Sequence, residues 1–124
     1  MNSSQTIYEI LGQNQINQLA SDFYQEVTLK PNLRSLYPEN LAEAEARLAL
    51  FLIQVFGGPQ TYSEQRGHPR LRMRHFKWEI NTQMRDLWLE AMLTAMDKQS
   101  LDPTLKATMS SYFTTTANHM INHE

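Results

Sequence analysis

The sequence contains no cysteine, which excludes disulfides, thiolate metal centres and cysteine nucleophiles. It has 4 glycines and 5 prolines in 124 residues, too few for a low-complexity or loop-built chain. No run approaches the roughly 20 apolar residues of a membrane-spanning helix, so no membrane association is expected. Neither sign of charge dominates: 11 Lys and Arg against 13 Asp and Glu leave a net charge of -2. That balance offers no general attraction to nucleic acid, and no nucleic-acid partner is expected. The first ten residues, MNSSQTIYEI, lack the basic and then apolar order of a secretory leader. A soluble, cytoplasmic protein is the expectation.

What is present is the material for one core. Hydrophobic residues make up 41% and charged residues 19%, the balance of a compact domain. A chain this long buries roughly two thirds of its unfolded surface, so residues 1–124 are read as a single domain. Apolar residues recur at helical spacing. Ile7, Ile10 and Leu11 follow the cap candidates Ser3 and Ser4 and mark a short first helix. Gly12 interrupts it, and Ile16, Leu19, Phe23 and Val27 define the face of a second, ending before Pro31. Pro31 to Pro38 reads as a turn-like connector.

From Leu41 a broad apolar stripe runs through Ala44, Leu48, Phe51, Leu52, Val55 and Phe56 to a stop at Gly57-Gly58-Pro59, where glycine permits a left-handed cap and proline bars continuation. Ile80, Met84, Leu87, Trp88, Ala91, Met92 and Ala95 make another long face. Asp102-Pro103 supplies a cap with proline in the first helical position, and Leu105, Met109, Tyr112, Phe113, Met120 and Ile121 mark the last helix. No stretch alternates with a period of two. The fold class is therefore all-α. The exception is Gly57 to Pro69, which holds three of the four glycines and reads as a long loop carrying Tyr62, Arg66 and His68, the type of segment that is usually functional.

After Pro69, RLRMRHF is long enough for about two helical turns, which places Leu71, Arg72 and His75 on one face with His68 just before it. A neutral imidazole is an axial ligand for haem iron, and a guanidinium or imidazole can pair with porphyrin carboxylates. The same pattern also describes a surface histidine beside a basic anion-binding edge. A porphyrin further needs a dry slot. Phe23, Leu48, Phe51, Leu52, Trp88 and Met92 could line one, although helix packing alone accounts for their spacing. Tyr24, Tyr37 and Trp88 stand apart because buried phenols and indoles require hydrogen-bond partners.

These residues resemble a known family, the truncated or two-over-two haemoglobins, specifically group II. The matching blocks are Phe23-Tyr24, Tyr37-Pro38-Glu39, GGPQTYSEQRGHPRLRMRH from Gly57 to His75, and RDLWLEAM from Arg85 to Met92. They extend in order over most of the chain, and the nineteen-residue run is the most specific. The resemblance implies a globin-like sandwich of two helix pairs around haem b, iron protoporphyrin IX. It implies His75 as the proximal iron ligand, Tyr24, Tyr37 and Trp88 as distal donors, and Ala44 and Leu48 on the helix over the iron. Phe23, Phe51, Leu52, Tyr62, His68, Leu71, Arg72 and Met92 complete the haem-binding set. After His75 the chain departs from the family, reading Phe76-Lys77-Trp78 where a small residue, a proline and an aromatic are common.

The implied function is binding, storage or transport of dioxygen or another diatomic ligand such as nitric oxide or carbon monoxide. Redox turnover of nitric oxide or peroxide is the enzymatic extension. No room remains for a flavin or nicotinamide domain, so repeated turnover requires an external reductase. The rival is a haem-free helical interaction module, its aromatics forming core and its Arg66 to Arg74 stretch binding an acidic partner. His119 and His123, four apart, could chelate a metal ion or simply face the negative end of a helix dipole. Monomer and homodimer are both compatible with the sequence.

Overall fold

The computed structural model describes residues 5–66 and 80–121. Within them the chain forms α1 (Ile7–Thr28), α2 (Pro31–Arg34), α3 (Ala42–Val55), α4 (Thr61–Arg66), α5 (Thr82–Asp97) and α6 (Pro103–His119), with no strand among the described residues. The expected all-α fold is present. α1 packs against both α3 and α5, and α5 against α6, so α1 and α3 form one pair and α5 and α6 the other.

α1 begins at Thr6 rather than at either expected serine. The Thr6 hydroxyl accepts from the Glu9 N–H at 3.0 Å and the Glu9 carboxylate from the Thr6 N–H at 3.0 Å, a reciprocal pair that satisfies two otherwise orphaned donors. The expected break at Gly12 is real: the residue sits at φ 80°, and the helix kinks there before resuming. The second part buries Ile16, Leu19, Phe23 and Val27 completely or nearly so, the face read from the sequence. Asp22 is the buried charged residue of this helix. Its carboxylate accepts from the Gln18 amide at 3.0 Å and from Gln99, beyond α5, at 2.7 Å, which offsets the cost of taking it from water.

The connector after α1 is more ordered than expected. Pro31 opens the single turn of α2, which buries Leu33, because a proline lacks only an N–H that a first helical residue would not use. α3 ends as expected, with the Gly57 N–H on the Gln54 carbonyl and the Gly58 N–H on that of Ile53. Gly57 at φ 101° turns the chain so that the Phe56 carbonyl accepts from the Tyr8 N–H at 2.8 Å. That bond fastens the start of α1 to the end of α3.

The long loop expected from Gly57 to Pro69 is corrected in part, since Thr61–Arg66 is helical. Tertiary contacts stabilise this short helix: the Gln54 amide donates to the Ser63 hydroxyl at 2.7 Å and accepts from the Ser63 N–H at 2.9 Å. Asp102 caps α6 through the N–H groups of Thr104 and Leu105, with Pro103 next, as the sequence indicates. Met92, Met96 and Met109 are fully buried between the pairs, flexible side chains that fill irregular gaps. Burying a side chain of this size contributes roughly 1.5–3 kcal/mol.

Candidate functional site

Helix α1 ends by presenting two adjacent rings. Tyr24 is 7% exposed and meets Phe23 edge-on at 4.9 Å and Tyr37 edge-on at 5.4 Å. The Tyr24 and Tyr37 hydroxyls are hydrogen-bonded to each other. Each phenol thus answers the need for a partner that made it conspicuous, and no buried side-chain polar atom among the described residues is left unsatisfied.

Tyr37 is held in place by a residue that no motif in the chain singles out. Arg34, at the end of α2, donates to the backbone carbonyls of Tyr37 at 3.2 Å, Pro38 at 2.9 Å and Glu39 at 2.7 Å. One guanidinium, with its fixed fork of donors, gathers three successive peptide groups and braces the connector. The legible clue was a lone arginine three residues before a tyrosine-proline turn, a spacing too common to read.

Trp88 reaches the same region from α5. Its ring lies 5.5 Å from Phe23, and it borders a cleft with Tyr37, Leu33, Leu36, Met84 and Met120. The cleft is open to solvent and mostly apolar, with a few polar groups, the character of cofactor sites. Arg85 stands at its edge, bonded to Asp86 at 2.6 Å and to the Asn118 amide oxygen. Apolar walls, a few convergent donors and one cation at the edge suit an amphiphilic macrocycle with acidic substituents.

Burial is the main cause that raises both phenols. Tyr37 is pushed up to about 12, with the Tyr24 hydrogen bond working the other way. Tyr24 is raised by burial, then by the proximity and hydrogen bond of Tyr37, and slightly by Glu45, while Arg47 lowers it. At neutral pH both are therefore protonated donors. A group whose folded value exceeds its unfolded value near 10 binds its proton more tightly when folded. Its stabilising contribution is complete below pH 10 and is lost as the pH rises from there through about 12. Denaturation midpoints of the wild type are expected to fall across that window, and those of Tyr37→Phe to fall less. Parallel curves would exclude the pair as the cause.

The other expected site residues are placed as follows. Ala44, Phe51, Leu52 and Met92 are buried in the core, and Leu48 packs half-buried against it. Tyr62 is buried on α4 with its ring 5.6 Å from Phe51. Their spacing is accounted for by packing, as the helical pattern allowed. His68, Leu71, Arg72 and His75 lie outside the described residues, as does His123. His119 closes α6, and no cluster of metal-ligating side chains occurs among the described residues.

The bacterial-like globin family model matches residues 6–122. The chain belongs to that family and is a group II truncated haemoglobin. The group 2 truncated haemoglobin YjbI of Bacillus subtilis is 36% identical over 115 residues, covering 93% of this chain and 87% of the relative. The fold matches the thermostable haemoglobin of the actinobacterium Thermobifida fusca with TM-score 0.92 at 46% identity, over 95% of this chain and 98% of that one. It also matches the truncated oxygen-avid haemoglobin of Bacillus subtilis with TM-score 0.91 at 36% identity, over 95% and 100%. Membership of this globin family implies haem and a small gaseous ligand and favours that reading over a haem-free interaction module. No described helix is long and apolar enough to cross a membrane.

Proposed function

We propose that this truncated haemoglobin holds haem b through His75 and binds dioxygen, with nitric oxide and carbon monoxide as alternative ligands, under Tyr24, Tyr37 and Trp88. The observation that carries this reading is the convergence of Tyr37 and Trp88 on one cleft, with Tyr24 bonded to Tyr37 behind it. Ferrous haem supplies reversible diatomic binding and one-electron redox chemistry when bound. The chain's residues would divide the remaining work. The apolar walls formed by Leu33, Leu36 and Met84 exclude water, and Arg85, with His68 and Arg72 by family resemblance, pairs with propionates. Phenol and indole donors stabilise a ligand that has drawn negative charge more than they stabilise a neutral one.

The physiological setting that follows is cytoplasmic binding, storage or transport of dioxygen. Conversion of nitric oxide and dioxygen to nitrate, or reduction of peroxide, would need electrons from an external reductase. A hydrogen bond to a charged partner contributes roughly 1.5–3 kcal/mol. Trp88→Phe is therefore expected to release dioxygen about ten to a hundred times faster in stopped-flow measurements. An unchanged dissociation rate would remove the indole from the site. The reading as a whole is tested by absorption spectra of protein produced with haem. An intense Soret band that shifts on reduction and again with carbon monoxide supports it, and a colourless protein that takes up no haem would overturn it.

A further inference from the structure

A file of aromatic rings leads from the cleft to the protein surface. Trp88, at the cleft, lies 6.2 Å from Phe113 at an interplanar angle of 61°, and Phe113 lies 5.5 Å from Tyr112 at 69°. Phe56 braces the last step, 6.0 Å from Phe113 and 5.7 Å from Tyr112. Inward, Phe23 connects Trp88 to Tyr24. Aromatic packing explains edge-to-face contacts, but it does not explain what stands at the two ends. Tryptophan and tyrosine are the readily oxidised aromatic side chains, and here one borders the cleft while the other is half-buried on α6 beside exposed Ser111. The Tyr112 hydroxyl is hydrogen-bonded to Thr116, one helical turn on, and that bond favours loss of the phenol proton. Tyr24, by contrast, is buried and bonded to Tyr37.

We propose that Tyr112 is the surface terminus of an electron relay running through Phe113 and Trp88, by which a phenolic one-electron reductant at the surface supplies electrons to the haem pocket. The proposal rests on the haem-protein reading above. With hydrogen peroxide as oxidant, each peroxide takes two electrons and two protons and yields two waters. In one protein molecule the Tyr112 O–H bond breaks twice in succession, each time sending one electron inward along the rings and one proton to solvent. After each break a phenol at the surface returns one hydrogen atom to the Tyr112 radical and is itself oxidised to a phenoxyl radical. Phe113 is not oxidised; it closes the distance between two rings that are, and electron tunnelling falls steeply with distance.

The test treats haem-loaded protein with stoichiometric hydrogen peroxide and a nitroso spin trap, then maps adducts by peptide mass spectrometry. The expected adduct is on Tyr112. Tyr112→Phe should lose it while keeping the Soret band of the untreated protein. Phe113→Leu, with folding checked by circular dichroism, should diminish the adduct although Tyr112 remains. Adducts confined to other tyrosines would overturn the relay while the haem reading stands. A haem-free product, or a Soret band indifferent to peroxide, would overturn the relay through its premise.

Discussion

Replacing His75 by alanine is expected to abolish stable haem retention, with the Soret band of purified protein lost or greatly altered. The expectation rests on the resemblance of the run ending at His75 and on ligand chemistry. An imidazole is the protein's covalent hold on a globin iron. Removing even an outer hydrogen-bond partner of a metal ligand typically costs 10–100-fold in affinity. Loss of the ligand itself should therefore cost more than about a hundredfold. Apolar contacts along the cleft would still bind porphyrin loosely, so haem titration of the variant should give weak, broad uptake. Added imidazole separates ligation from folding: it should restore a six-coordinate spectrum in a folded His75→Ala protein. A variant that retains the wild-type ferrous and carbon monoxide spectra would show that another residue holds the iron.

Gly57→Ala is expected to lower stability by about 2–6 kcal/mol, which combines two effects. At φ 101° a side chain strains the backbone, at a typical cost of about 1–3 kcal/mol. The new Cβ would also lie 2.5 Å from the Cβ and Cγ2 of Thr6, and overpacking of this type costs about 1–3 kcal/mol. For a chain of this length the thermal midpoint should fall by roughly 6–24 °C. Thr6 caps α1, so the clash would also disturb the bond between the Tyr8 N–H and the Phe56 carbonyl. Thr6→Gly removes the opposing atoms, and glycine is a tolerable cap that costs only a few tenths of a kcal/mol. The double variant should therefore recover the steric part and retain the backbone part, measured as a coupling energy in a thermal unfolding cycle. Equal midpoints for Gly57→Ala and wild type would refute both effects.

Much of the architecture was legible because helices announce themselves locally. Ile16, Leu19, Phe23 and Val27 share a face by spacing alone, Asp102-Pro103 fixes a helix start, and Gly12 and Gly57 mark positions where the backbone turns. One error was local, and the other fell where a long-range contact decides. Ser3 and Ser4 look as capable of capping as Thr6, but it is Thr6 that has Glu9 three residues on. The segment after Pro59 reads as a loop until Gln54, from another helix, binds Ser63.

The candidate site divides along the same line. Residue types, and the long run from Gly57 to His75, were enough to raise haem and to name Tyr24, Tyr37 and Trp88, because chemistry is carried by side chains and a specific run survives without coordinates. Folding alone determined that two tyrosines thirteen positions apart satisfy each other, that Arg34 clasps the turn between them and α3, and that Trp88 and Tyr112 stand at opposite ends of one file of rings. Those relations depend on how helices cross, and crossing is set by the packing of whole faces, which no local spacing in the chain encodes.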